Sequence, residues 1–406
     1  MSSVCEQPGL NSIEQAIAAL TELLQRPVES HSVALTEASG LVLAEDLHAR
    51  LDVPRWDNSA MDGYALNSAD LARTSRLPLA GCQAAGDTLQ TLPPGHCLQI
   101  FTGAPVPTGA DTVVPQENCL RQADAVEFGQ VEAGQNIRRQ GEETRSGALL
   151  LASGTRLRAQ EIGLLASQGF ARVPVCRPLR IGIISSGNEL CAPGSELQGS
   201  QIYDTNRYLL ASLLQGWGFS VTQYPHLRDN LDDTLQLFDR ASQEQDLLIS
   251  SGGVSVGEAD HLKTAVQRLG QLNLWRVAIQ PGKPLAFGSI GSTPWIGLPG
   301  NPAASLVTAL IIARPALLAA QGQTVTTPQL LPVQASFSRS KPRLRTQYLQ
   351  ARLEIEQGRL QVQLHPQQSS AMLANCSWAD GLVVIPAQHS VQPGDILGYI
   401  PYSALL

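Results

Sequence analysis

Between residues 179 and 320 the sequence repeats one unit, a short apolar or β-branched run followed by a segment with helical spacing. LRIGIISS leads into DTNRYLLASLLQGWG, FSVTQY into a segment from Asn230 to Gln243, and DLLISS into ADHLKTAVQRLG. LWRVAI, PLAFGSI and TPWIGL are further strands, and NPAASLVTALIIARPALLAA closes the region as a long helix. Strands alternating with helices of this length predict an α/β domain with a mostly parallel sheet. That pattern also says where to look for a site, because ligands of open α/β sheets bind outside the carboxyl ends of the strands.

Three polar, glycine-rich loops follow strand ends: SSGNEL (185–190), SSGGVSVGEAD (250–260) and GLPGNPAAS (297–305). Glycine lets backbone approach a ligand, and N–H groups at loops and helix starts suit an anion such as phosphate. Ser186, Gly187, Ser251, Gly252, Gly253, Pro299, Gly300, Asn301 and Pro302 are therefore candidate binding positions. One such loop is explained as well by a tight turn; three on one sheet edge favour a pocket. Glu189, Asp229 and Asp260 each fall just after a strand end, and clustered carboxylates call for a cation, with Mg²⁺ shared with a phosphate the natural choice. Asp229 and Asp260 also read as caps of the helices that follow them. Lys283 sits in IQPGKPLAF, where two prolines and a glycine would aim its ammonium, although a solvated turn lysine is the plain alternative. Nucleotide fingerprints fail: Lys283 is followed by Pro, and GWGFSV lacks the third Gly of a dinucleotide loop.

The flanks differ in texture. Residues 11–25 predict a helix with Ser12 and Gln15 as a capping box. Residues 40–155 are rich in Gly, Pro and short β-branched runs, a β-rich region carrying the polar loops DNSAMDGY (57–64) and TGAPVP (102–107). RRQGEE (138–143) reads as a solvated salt-bridge turn. A short helix at 159–168 ends at Gly169, and VPVCRP (173–178) is a linker. Beyond Pro328, TQYLQARLEI and RLQVQLH form a hairpin about 356–358, and GLVVIPA and DILGYIPY complete a small all-β domain. The resulting division is 1–177, 178–325 and 326–406.

Bulk properties exclude several classes. A net charge of −7 argues against nucleic-acid binding through bulk charge. The first residues carry no basic, then apolar, signal pattern, and the apolar stretch 305–320 is interrupted by Arg314 and Pro315, so neither a signal peptide nor a membrane span is expected. Seven cysteines form no C-x-x-C pair and seven histidines no ligand spacing, which predicts reduced thiols, a cytoplasmic setting and no zinc site.

DNSAMDGYA, FTGAPVPTGAD, QNIRRQGEE, IYDTNR, SSGGVSVGEAD, PGKPLAFG and GLPGNPAAS together resemble the signature segments of the molybdopterin molybdenumtransferase family, which also takes in the plant molybdenum-insertase domain and the E domain of gephyrin. The resemblance runs from about residue 10 to residue 400. It implies an elongated β-rich N-terminal arm, a central α/β domain of molybdopterin-binding type and a C-terminal small β-barrel. It implies a homodimer with the site shared between subunits, adenylylated molybdopterin as substrate, Mg²⁺ as cofactor, molybdate as co-substrate and AMP as product. A molybdopterin adenylyltransferase is a candidate partner protein. By motif, the resemblance carries Asp62, Thr102 with Gly103, Glu189, Asp229, Asp260, Lys283, Pro299 to Pro302, Arg345 of RTQYLQ and Ser370 of QQSSAM into the site. The chain departs from the family pattern at Gln280, where Lys is usual, and at Asn188, Ala304, Gln347 and Ser369. Two other readings remain, a non-catalytic pterin-binding scaffold and a molybdopterin adenylyltransferase. The acid cluster speaks against the first, and the β-rich flanks against the second.

Overall fold

The structure, a computed structural model, describes residues 9–252, 261–325, 327–356 and 358–406. Asp260, Gly253 and the rest of the loop 253–260 lie outside the described residues.

The first helix, Ile13–Leu23, starts as its sequence dictates. Ser12 Oγ accepts from Gln15 N–H at 3.1 Å, and the Gln15 side chain accepts from Ser12 N–H at 2.8 Å. Its apolar stripe is buried at Ala16, Leu20 and Leu24 against the helix Arg314–Ala320 and the sheet of the α/β domain. Burying each leucine contributes about 2 kcal/mol.

The chain then enters the β-rich region. Ser30–Ala34 pairs antiparallel with Arg172–Cys176, closing a base through which the chain leaves and returns. Beyond the base lies a six-stranded sheet in the spatial order Thr112–Pro115, Gly63–Leu66, Cys97–Ile100, Arg76–Gln83, Ala125–Phe128, Cys119–Gln122. Gly63 lies between two partners so close that a Cβ there would stand 2.0 Å from the Val114 carbonyl oxygen. The turn RRQGEE is tied from outside: Arg139 pairs with Asp57 at 2.6 Å, while Arg139 N–H donates to Glu142 at 2.8 Å.

The central sheet has six strands in the order Ser220–Gln223, Arg180–Ser185, Leu247–Ser251, Thr293–Leu298, Pro284–Ile290, Gly270–Arg276. The first four are parallel; Pro284–Ile290 runs against them, pairing antiparallel with Thr293–Leu298 on one side and with the edge strand Gly270–Arg276 on the other. The segment LWRVAI divides. Its first half belongs to the edge strand Gly270–Arg276, while Ile279–Gln280 leaves the sheet and pairs parallel with Thr346–Gln347 of the C-terminal domain. The long helix runs unbroken across Arg314 and Pro315, through a π-helical stretch at Ala309–Ala313. Proline lacks an N–H and clashes with the preceding turn, and the wider π turn just before it removes both conflicts. At 19 residues with a mean hydropathy of 1.9, Pro302–Ala320 is long and apolar enough to cross a membrane, but 78% of that stretch is buried inside this fold.

The C-terminal strands Leu331–Ala335, Thr346–Glu356, Arg359–Leu364, Gly381–Ile385 and Ile396–Pro401 close into a barrel, because Thr346–Glu356 pairs both with Arg359–Leu364 and with Gly381–Ile385. The barrel is fastened to the α/β domain by Leu382, Ile400 and Leu405 in a shared core and by Trp217 Nε1–H donating to the Leu405 carbonyl at 2.7 Å.

Candidate active site

A cleft of about 930 Å³ opens where the carboxyl edge of the central sheet faces the barrel. Topology accounts for who lines it. The parallel strands deliver Ser186 and Glu189, Ser251 and Gly252, and Pro299 to Pro302. The strand Pro284–Ile290 runs antiparallel to Thr293–Leu298, so its amino end, with Lys283, arrives at that same edge. From the barrel come Arg345, Gln350, Gln368 and Ser370. Ser186 and Ser370, 184 positions apart in sequence, thus line one cleft.

The glycine loops play a different part from the one their sequence suggests. Gly187 N–H donates to the Leu227 carbonyl at 3.2 Å and Gly252 N–H to the Leu298 carbonyl at 3.0 Å. At the helix start after LPGNP, the N–H groups of Ala303 and Ala304 donate to the Ser370 carbonyl at 3.0 and 3.3 Å. The free amides of a helix N-terminus are thus capped by the barrel, because two packed domains satisfy buried backbone donors wherever they can. What the glycines supply is room. Gly187 holds φ +147°, and a Cβ there would stand 2.7 Å from both carboxylate oxygens of Glu189, so only glycine lets that carboxylate fold back over the turn. Gly282 holds φ +113°, and its missing Cβ would stand 2.3 Å from Thr308 Oγ1, which seats the Lys283 turn directly on the helix.

Two cationic side chains stand in the same cleft. Lys283 and Arg345 line the cleft. Arg345 donates to the Ile279 carbonyl at 3.0 Å, which anchors its guanidinium at the junction of the two domains. Burial, and next the neighbouring Arg343, lowers its pKa, the response of a cation held beside another cation. Ser370 Oγ accepts from Asn301 Nδ2–H at 3.1 Å, leaving its hydroxyl hydrogen to donate. Gln280 lines the cleft beside Lys283 and is in register with Gln347, which is 1% exposed and accepts from Arg339 at 2.7 Å.

The acids are not all together. Glu189 lines the cleft, whereas Asp229 does not, its carboxylate accepting from Asn188 N–H at 3.2 Å and its own N–H donating to Asn188 Oδ1 at 3.2 Å. The cap of the helix Leu231–Glu244 is Asn230, so Asp229 does not serve that role. Among the described residues no group of three His, Cys, Asp or Glu side chains could by itself hold a metal ion. Asp62, Thr102 and Gly103 do not line the cleft of their own chain. They stand at the end of the outer sheet, where Gly63 pairs with Ile100. There the N–H and hydroxyl of Thr102 both donate to Asp62 Oδ1 at 2.7 Å and hold its carboxyl below the usual carboxylate range. Exposed Trp56, Met61 and Phe101 surround that tip.

Other lining residues were not singled out as site residues, although Tyr203, Asp204 and Asn206 lie in the family segment IYDTNR. Asp204 caps the helix Thr205–Gly216 by accepting from Arg207 N–H at 3.1 Å, and it also lines the cleft with Asn206 and Tyr203. Gln350 and Gln368 come together only because the barrel closes.

An α/β domain with a closed barrel on its carboxyl edge and a projecting sheet arm defines a class that comparison with known proteins makes specific. Residues 11–169 match the MoeA N-terminal region (domain I and II), residues 182–319 a probable molybdopterin binding domain, and residues 332–402 the MoeA C-terminal region (domain IV). A molybdopterin molybdenumtransferase of Haemophilus influenzae is 40% identical over 315 residues, 77% of this chain and 78% of its own. One from Synechococcus elongatus is 37% identical over 382 residues, 91% and 93% of the two chains. A crystal structure of a molybdopterin biosynthesis MoeA protein from Pyrococcus horikoshii superposes with a TM-score of 0.77 at 28% identity, covering 97% of this chain and 99% of that one. The chain belongs to the molybdopterin molybdenumtransferase family.

Proposed function

We propose that this protein is a molybdenum-inserting transferase of molybdenum cofactor biosynthesis, which takes adenylylated molybdopterin and molybdate and releases AMP. The observation that carries this reading is the composition of the cleft. Lys283 from the sheet edge, and Arg345 and the Ser370 hydroxyl from the barrel, present donors to a tetrahedral oxyanion, while Glu189 presents a carboxylate on the sheet side. Charge-assisted donors of this kind suit MoO₄²⁻.

Mg²⁺ fits the donor set as hard oxygen ligands do. Glu189 and Asp229 stand on either side of the Ser186–Asn188 turn, with Asp260 as the further carboxylate by sequence. They would hold the ion together with substrate phosphate, where it would offset the charge that builds as the phosphoanhydride opens. Lys283 binds and orients the oxyanion and Arg345 holds it against the barrel wall. Gln280 in place of a second lysine makes this pocket less cationic.

The arm suggests a homodimer. A polar tip whose Asp62 and Thr102 are already locked together, ringed by exposed apolar side chains, suits a second copy of the chain closing the cleft with it. No basic surface for nucleic acid is expected at a net charge of −7, and the cytoplasm is the setting we infer, with a molybdopterin adenylyltransferase as the candidate supplier of substrate.

One assay separates the readings. Incubation with adenylylated molybdopterin, Mg²⁺ and molybdate should release AMP and yield active cofactor. ATP consumption without AMP release would point to adenylylation, and neither product to a binding scaffold.

A further inference from the structure

Gln350 sits on the strand Thr346–Glu356 where it lines the cleft, yet it is 4% exposed. Every polar atom around it but one is engaged. Its backbone N–H donates to Gln368 Oε1 at 3.2 Å, and its backbone carbonyl accepts from Gln368 Nε2–H at 2.8 Å. The Tyr402 hydroxyl donates to its side-chain Oε1. With the Tyr402 hydroxyl donating to this oxygen, the amide nitrogen is turned the other way. Gln350 Nε2, with two N–H donors, is buried with no partner among the described residues. A buried amide donor left unpaired is unfavourable and rare, and a binding site is where the fold tolerates one, because the ligand completes it.

The surroundings say what kind of atom completes it. Gln368, which clamps the Gln350 backbone, directly precedes the Ser369–Ser370 turn that lines the same wall. The wall presents the Ser370 hydroxyl, the Arg345 guanidinium and the Lys283 ammonium, all donors. A fourth group offering only N–H donors matches an acceptor oxygen on the same ligand.

We propose that Gln350 is a further binding residue of this cleft, its side-chain N–H group donating to an oxygen of the tetrahedral oxyanion that Lys283, Arg345 and Ser370 surround, with Tyr402 as the positioning residue that holds the amide in the donating orientation. The inference rests on the transferase reading above and names one more determinant of its oxyanion subsite. Gln350 supplies a neutral donor, so it selects by geometry and donor count rather than by charge.

The test measures binding of molybdate, tungstate, sulfate and inorganic phosphate, and of AMP, by titration calorimetry on the full chain and on three variants. Gln350→Met keeps the length and removes the donors, and should weaken oxyanion binding roughly tenfold. Gln350→Glu replaces donors by a carboxylate and should abolish it. Tyr402→Phe leaves Gln350 present but frees the amide to turn, and should weaken binding roughly threefold. This last variant keeps the idea open to refutation if the first two fold poorly. Losses for molybdate and tungstate assign Gln350 to the metal oxyanion. Losses confined to phosphate and AMP assign it to the phosphate end of the substrate, which supports the donor role equally. Unchanged affinity for every anion in folded Gln350→Met and Tyr402→Phe overturns the proposal while leaving the transferase reading standing. Absence of AMP release by the unaltered protein with its full substrates sinks that reading instead.

Discussion

Asp246 is held by three arginines: Arg177 at 2.9 Å, Arg180 at 3.1 Å and Arg26 at 3.4 Å. Its side chain is 7% exposed. Burial pushes its pKa up, but the hydrogen bonds from Arg177 and Arg180 overcome this and leave the carboxyl well below its usual range. The cluster ties together the chain just after the first helix, the central sheet, and Arg177, which follows the strand Arg172–Cys176; the segment 173–178, expected as a linker, is mostly that strand, because it pairs with Ser30–Ala34. Breaking one partner of a buried pair costs about 3 kcal/mol, so Asp246→Asn should lower stability by about that much at pH 7. A carboxyl whose pKa is depressed by folding contributes above its unfolded value near 4 and loses the contribution as pH falls below it. The difference between urea titrations of the two proteins should therefore be largest at pH 7, begin to narrow below pH 4 and close only below the depressed folded-state pKa; a constant gap would mean the arginines do not act through charge. Still at the residue scale, Gln280→Lys adds a cation beside Lys283 and should lower the molybdate concentration needed for half-maximal turnover severalfold. An unchanged requirement would place residue 280 outside the oxyanion's field.

At the scale of elements, the turn carrying Lys283 is set by its contact with the helix Pro302–Thr308. Gly282→Ala meets Thr308 Oγ1 and a φ of +113° at once. Strain of this sort costs about 1–3 kcal/mol, and the lysine should be displaced. Expected is a rise of tenfold or more in apparent KM for molybdate, against a smaller change in kcat. Adding Thr308→Ala should restore part of the affinity by clearing the steric conflict, and a double variant no better than the single would show that the φ strain alone is responsible. The helix start itself behaves differently from what its Asn-Pro signature suggests: the barrel's Ser370 carbonyl takes its first amides. That contact couples barrel position to helix position, and so Arg345 to Lys283.

For the whole molecule, the proposed homodimer makes a prediction about Asp62, which does not line the cleft of its own chain. If two copies close one site, an Asp62→Asn chain and a Glu189→Gln chain, unfolded and refolded together, pair at random. Half the dimers are then mixed, and each carries one intact site, so roughly a quarter of wild-type activity should return. Mixed activity at the level of the separate variants would show that each site uses one chain only.

Much of this molecule was legible in its sequence because the signals are local. The capping box at Ser12, the alternation of strands and helices through the centre, and the hairpin about residue 358 each depend on residues a few positions apart, and each formed as expected. Long family segments placed Glu189, Lys283 and Ser370 in one site, and all three line the cleft. Sequence could not show which amides remain free, because Gly187, Gly252 and Ala303 find their acceptors in other strands and in another domain. Nor could it show that Asp229 turns toward Asn188 while Asp62 and Thr102 lock to each other away from the cleft. Gln350 is the extreme case. A glutamine in a strand carries no signal, and its unpaired amide exists only because barrel closure brings Gln368 and Tyr402 against it from 18 and 52 residues away. Chemistry and spacing along the chain determined the elements, and family segments nominated several residues that line the cleft. Which hydrogen-bonding groups were left unsatisfied, and so available to a ligand, was decided by tertiary packing, since a buried donor's partner depends on what the fold brings beside it and not on its neighbours in sequence.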